Sequence, residues 1–503
     1  MGITTLKFFL FLVASVIIYY IFPKKIRWLV LLVASLIFFM SACSWPMLIY
    51  LAFGVIATYV GTRLIGENLK TEKSKKIALF ITLLCIIGQL IALKYLNIIP
   101  TTINGIAGIF NLDLHFASFN LLAPLGISYY ALSLIGYTLD VYRGTSKPQK
   151  NILKHALFTC YYPVMISGPI IRYEEMKKEL FEPRKYDFKN ILYGAERIVY
   201  GLLKKMVIAD QLGIVVNAIF SNYQTYSGIY LIIGVIFYAI QIYTDFSGCM
   251  DIVIGASKMY GVILPENFLS PFFSKNLSEF WRRWHITLGT WAKDYIMYPL
   301  LISKPFQNLA DKCKKRFGKK VGKKIPTIIA IFILWLIIGI WHGASYKYIF
   351  AAGILPWIYL TISELCEPLF KKLTNVLHIN TEKFSYRLFE SLRTIALMCF
   401  IWLLVLAPTF TSGFDVLANV FHMSSLDLRL TLPEIPFNVI FIAGLFVLAV
   451  DYLQYKEKDV LESFNKQGII FRYIIIFFML YLILTYGVYG PGYNPADFIY
   501  GGF

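Results

Sequence analysis

Apolar runs of roughly 15–22 residues recur from one end of this chain to the other, and they constrain its fold more than any other feature. A spanning helix needs about 20 mostly apolar residues. Inside lipid each backbone N–H and C=O must be satisfied within the structure, so isolated runs of this length form helices and not open strands. Composition agrees. Hydrophobic residues make up 58% of the 503 positions and charged residues only 15%, with mean hydropathy +0.64. The fold class is therefore an all-α polytopic membrane protein, and a soluble multidomain chain is excluded.

The runs place about twelve spans, over 6–22, 28–43, 46–62, 77–97, 119–142, 206–220, 228–249, 325–341, 347–366, 391–410, 437–453 and 469–489. Residues 8–22 resemble the core of a signal peptide, and FMSAC at 39–43 resembles a lipoprotein cleavage site. The first lacks a basic start and a cleavage site, and the second lies too deep. Both are expected to be retained as membrane helices.

A net charge of +19 suggests nucleic acid as a partner, but the basic residues are not spread evenly. They gather at 24–27, 63–76, 143–154 and 304–324, the last with nine basic residues and one acidic. Segments 98–118 and 411–436 carry at most one arginine each. This alternation fits basic loops in the cytoplasm and an N-terminus outside, with the bilayer as partner and no nucleic acid. The seven cysteines are scattered without a CxxC pair. They read as small buried hydrophobes, and no metal site is expected. No soluble domain, internal repeat or low-complexity tract interrupts the pattern, so 1–503 reads as one integral membrane domain, with 304–324 as a basic cytoplasmic loop.

Two segments do not read as simple spans. Residues 155–171 are apolar but lie between basic loops, and Gly168 and Pro169 break any helix there. Residues 250–303 are mixed, aromatic and polar. Broken backbone at membrane depth requires surrounding protein or a water-filled cavity, so both are expected to line an interior space as re-entrant segments.

Polar side chains in this greasy chain are the candidates for chemistry. Of six histidines, His115, His155, His378 and His422 read as solvated or interfacial. His342 closes an apolar run, ILWLIIGIWHGAS. Two readings of it stand: an interfacial residue beside Trp341, or a buried functional group made accessible by Gly339 and Gly343. His285 lies in SEFWRRWHITLGTWAKD (278–294). If 278–292 is helical, Glu279 meets Arg282 and Arg283, and Trp281 shares a face with His285. An amphipathic interfacial helix explains the same residues. Asp140, Gln241, Asp245, Ser247, Asp251 and Asp294 read as the polar scaffold of a cavity, with Arg143, Arg172, Arg282 and Arg283 as partners. The sequence holds no P-loop, HExxH or GxSxG motif and no DxD in a soluble loop.

PLGISYYALSLIGYTLDVYRG (124–144), YYPVMISGPIIRYEEM (161–176), residues 240–296 and IGIWHGAS (338–345) together resemble the membrane-bound O-acyltransferase (MBOAT) family. The resemblance is dense over about 120–350, and points to the bacterial branch of alginate and peptidoglycan O-acetyltransferases and teichoic acid D-alanylation proteins. It implies a bundle of 11–12 helices around a funnel and tunnel, in the bacterial cytoplasmic (inner) membrane. It places the family's principal histidine at His342 and its second at His285. The stretch WLLVLAPTF (402–410) lacks an arginine usual in this branch, and the tail ADFIYGGF departs from its usual aromatic ending.

The chemistry expected is acyl transfer from a cytoplasmic thioester to a hydroxyl on an exported polysaccharide, with acetyl as the acyl group. No tightly bound cofactor is expected; acetyl-CoA or an acyl-phosphopantetheine carrier protein serves as donor. Histidine suits the base at neutral pH. His342 takes this role, and His285 orients the donor or polarises its carbonyl. Trp281, Trp284, Trp341, Asp245 and Asp294 line the cavity, and Arg282 and Arg283 bind donor phosphates. The resemblance implies an extracytoplasmic partner of serine-hydrolase type, or another envelope glycan-modifying protein. D-alanyl transfer toward teichoic acid is the alternative, and a glycan or lipid transporter the second.

Overall fold

The computed structural model describes residues 1–110, 112–119, 121, 123–343, 345–422 and 432–490. Among these, nine helices are long and apolar enough to cross a membrane: Lys24–Ala42, Met47–Asn68, Glu72–Tyr95, Ile229–Met259, Lys304–His342, Tyr346–Val376, Phe384–Leu406, Phe437–Tyr455 and Ile469–Tyr486. Of the remaining three expected spans, two are the shorter helices Leu6–Ile21 and Ile127–Arg143, and the third, 206–220, is the π-helical turn Leu203–Ala209 running into Asp210–Ser221. The 119–142 run loses its start because Gly126, in a left-handed conformation, caps the helix there; residues 120 and 122 lie outside the described residues. The described residues contain no strand, only an isolated antiparallel bridge between Phe268 and Trp284.

The basic segment 304–324 is not the loop expected. Helix runs through it from Lys304 to His342, broken only at Gly318, whose φ of 78° turns the backbone. Lysine and arginine are good helix formers, so the charged segment is helical on either side of the break at Gly318. Helix also occupies much of the two poorly charged segments, as Ile98–Ile109 and Phe410–Phe421; residues 423–431 and the ADFIYGGF tail lie outside the described residues.

Two compact units divide the chain. The first is formed mainly by Met1–Leu202 and Gly248–Pro265. Within it, 155–171 is broken as expected, into Ile152–Cys160, Tyr162–Met165 and a non-helical stretch. A Cβ on Gly168 would meet Val164 Cα at 2.3 Å, so the bend tolerates no side chain there. Packing buries the segment: the Tyr260 hydroxyl bonds to Tyr162 at 2.8 Å and to Ser15 at 2.6 Å. His155 is wholly buried, its Nε2 2.7 Å from Thr58 Oγ1, which corrects the solvated reading. Asp251 pairs with Arg197 at 3.0 Å, an arginine outside the expected set.

The second unit comprises Leu203–Ser247 and Glu266–Tyr489. It holds both candidate histidines, His285 and His342.

Candidate active site

The stretch around His285 is not one helix. Asn276 caps a first helix, Leu277–Arg283, by accepting from Glu279 N. The chain then extends at Trp284, turns left-handed at His285 (φ 50°, ψ 49°) and starts a second helix, Ile286–Ala292. Trp281 and His285 therefore do not share a helical face, against the expectation. A left-handed conformation at a non-glycine residue costs on the order of 1–3 kcal/mol and persists only where the surroundings impose it.

The surroundings that impose it are specific. Leu269 N donates to Arg283 O at 3.0 Å, just before the turn. Ile286 N donates to Asn267 O at 3.1 Å, just after it. The Asn267 carboxamide, fully buried, accepts from Thr287 N at 3.0 Å and Thr287 Oγ1 at 2.9 Å. The chain 267–269 thus grips both sides of His285. Nothing periodic in the sequence marks Asn267, and it was not foreseen.

The His285 ring, on a residue 3% exposed, meets Phe246 edge to face at 5.0 Å and Trp341 at 6.0 Å. His285 lies between the spanning helices. Burial holds its imidazole well below the ordinary histidine range, and the neighbouring His342 adds to that. His342 is half-buried and ends the helix Lys304–His342, its ring 5.0 Å from that of Trp341. One tryptophan thus touches both imidazoles. The flanking glycines serve close packing of the protein on itself: a Cβ on Gly339 would come within 2.9 Å of Gly353 Cα, and one on Gly343 within 2.5 Å of the Tyr348 ring.

The other foreseen residues divide. Trp284 packs on Phe280, Phe268 and Trp402, so its indole is part of the wall behind His285. Trp281 stands edge to face with Trp335 at 4.7 Å. Arg283 is engaged by Glu279 at 3.0 Å and lies over the Tyr455 ring. Arg282 is exposed, and its charge lowers the affinity of half-buried Lys293 for its proton, second only to burial. Lys293 and Asp294 begin a π-helical turn, Lys293–Met297. Asp245 is not open to a ligand: buried Lys205 holds it at 2.6 Å and also holds Asp210 at 2.7 Å. Lys204 of the same π-helical turn, Leu203–Ala209, donates to Ser247 Oγ at 3.1 Å. The paired lysines in GLLKKMVIAD were the available signal for this network.

Residues 149–310 match the family model described as MBOAT, membrane-bound O-acyltransferase family. The matched stretch includes His285 and its grip. Similarity extends further in whole-chain comparisons. The probable alginate O-acetylase of Pseudomonas syringae pv. tomato is 29% identical over 92% of this chain and 84% of its own length. The chain carries an MBOAT-family domain. It is also 29% identical to the peptidoglycan O-acetyltransferase of Helicobacter pylori, over 68% of this chain and 64% of the relative. With the teichoic acid D-alanyltransferase of Bacillus subtilis it shares 29% identity over 47% of this chain and 58% of the relative. The chain thus spans less than two thirds of each of the last two. With an MBOAT domain and, among the described residues, nine helices long enough to span, it is a multi-pass membrane O-acyltransferase.

Proposed function

We propose that this enzyme transfers an acetyl group from a thioester donor on the cytoplasmic side to a hydroxyl of an exported cell-surface polysaccharide, or of an extracytoplasmic partner that completes the transfer. The observation that carries this is the pair of imidazoles packed against one indole, that of Trp341: His285 at 6.0 Å and His342 at 5.0 Å. In the proposed reaction the acceptor hydroxyl gives its proton to His342 as its oxygen attacks the thioester carbonyl. The carbon–sulfur bond breaks, and the thiolate leaves with that proton. The neutral, fixed imidazole of His285 orients the donor or donates to the carbonyl oxygen. A preorganised donor of this kind is worth a factor of about 10²–10³.

The exposed guanidinium of Arg282, with Lys293 beside it, suits the phosphates of coenzyme A or of a phosphopantetheine carrier, which act as substrate and not as bound cofactor. Arg283 is left to brace Glu279. The inner membrane of a bacterium is the proposed location, and envelope glycan-modifying proteins are the proposed partners, because the relatives act on alginate, peptidoglycan and teichoic acid by name.

D-alanyl transfer is the second reading, favoured by the teichoic acid relative. Family membership favours either transfer over bare transport. Labelled acetyl-CoA and a labelled D-alanyl carrier protein, each given to the reconstituted enzyme, separate the two. Acetyl transfer from coenzyme A supports the proposal; label moved only from the D-alanyl carrier replaces it with the second reading.

A further inference from the structure

A groove of about 530 Å³ runs between helices Met47–Arg63 and Glu72–Leu90 in the first unit. One wall is Ile56, Val60 and Leu64, and the other Ile77, Ile81 and Cys85. Its floor is closed by direct helix contact. A Cβ on Gly61 would lie 2.0 Å from Thr82 Oγ1, so only glycine lets the helices meet there. Both walls face outward: Ile56, Val60, Ile77 and Ile81 are each about half exposed, at 52%, 48%, 52% and 54%. The helices are two of the nine able to span, so this face meets hydrocarbon.

One end of the groove closes at the turn joining the helices, where Leu69 and Ser74 line it. That turn, LKTEKSKK at 69–76, carries four lysines against one glutamate. Lys75 leans toward Glu72 at 3.8 Å, while Lys70, Lys73 and Lys76 are exposed. Residues four apart lie one above another on a helix. Lys73 therefore heads the row Ile77, Ile81, Cys85, which is the groove's own wall. A basic head above a chain-wide apolar slot matches one kind of ligand.

We propose that this groove holds one acyl chain of an anionic glycerophospholipid, with its phosphate at Lys73 and its neighbours Lys70 and Lys76. Charge complementarity selects the anionic class, since basic segments beside spans meet the anionic leaflet. The site lies outside the histidine centre and does not depend on the reaction assigned to it.

The test uses the full chain in nanodiscs containing phosphatidylglycerol or phosphatidylcholine, each with a photoactivatable group on the acyl chain. Crosslinks from phosphatidylglycerol are expected on 56–64 and 77–85, several-fold above those from phosphatidylcholine. Lys73→Glu, a surface change, should abolish that preference while chain crosslinking persists. Ala78→Phe, which fills the slot, should remove crosslinking from either lipid. Equal labelling by the two lipids in the unaltered protein, unchanged labelling in Lys73→Glu, or a groove crosslinked instead to a second copy of the chain would overturn the proposal.

Discussion

The Trp341 ring lies 6.0 Å from the His285 ring, edge toward face, while its own chain neighbour is His342. A buried indole thereby sets the spacing of two imidazoles that come from segments more than fifty residues apart in sequence. Trp341→Phe keeps an aromatic face and should retain most transfer activity. Trp341→Ala should lower kcat by about tenfold or more, equivalent to at least 1.4 kcal/mol of transition-state stabilisation. Steady-state kinetics on both variants, with folding confirmed by size-exclusion in detergent, provide the check.

Asn267 holds the left-handed turn at His285 through two bonds to Thr287. Asn267→Ala leaves the buried Thr287 N–H without its acceptor, costing about 1–3 kcal/mol. Because the cost falls on the turn that aims the imidazole, kcat should drop while KM for the donor changes little. A larger change in KM than in kcat would place Asn267 in donor binding instead.

Lys205 stands between Asp210 and Asp245 and is only 2% exposed. Lys205→Met removes the cation that two carboxylates share, and breaking a buried pair in this way costs about 3–5 kcal/mol. Thermal unfolding in detergent should show a clear fall in midpoint for Lys205→Met. Asp245→Asn should show a smaller one, since Asp210 still pairs with the lysine.

Two histidines outside the spanning helices are held neutral by burial: His285 well below the usual range, and His155 pushed down to about 3. In the unfolded chain both take up protons below about pH 6.5. The unfolded state then binds more protons than the folded one, so stability is fully present above that pH and is lost progressively as pH falls below it. Melting temperature should decline from pH 7 to pH 5, and His155→Gln should flatten part of that decline.

The membrane class was legible at once, because length and apolarity of a run decide its fate in lipid. Nine of the twelve runs became helices long enough to span. Of the other three, 6–22 is the helix Leu6–Ile21, 206–220 is helical as a π-helical turn followed by Asp210–Ser221, and only 119–142 lost its start, at Gly126, a feature hydropathy does not register. His285 and His342 stood out as ionisable residues in an apolar setting, and WHG and RRWH carried the family resemblance. What periodicity could not supply was the break in 278–292. A helical reading follows from side-chain spacing, whereas the actual turn is imposed by Asn267 and Leu269 across a bridge formed only on folding. Asp245 reads in the sequence as part of a polar scaffold served by arginines; the ion pair it makes is with a lysine forty residues earlier, a partner that spacing along one helix does not reveal.

The most direct measurement is acetyl transfer from labelled acetyl-CoA to an acceptor glycan by the enzyme reconstituted in vesicles, compared with His342→Ala folded to the same yield. Removing the proposed general base should cut the rate by about 10²–10⁴ with donor binding retained. A His342→Ala enzyme that transfers acetyl at the unaltered rate would contradict the assignment of the base.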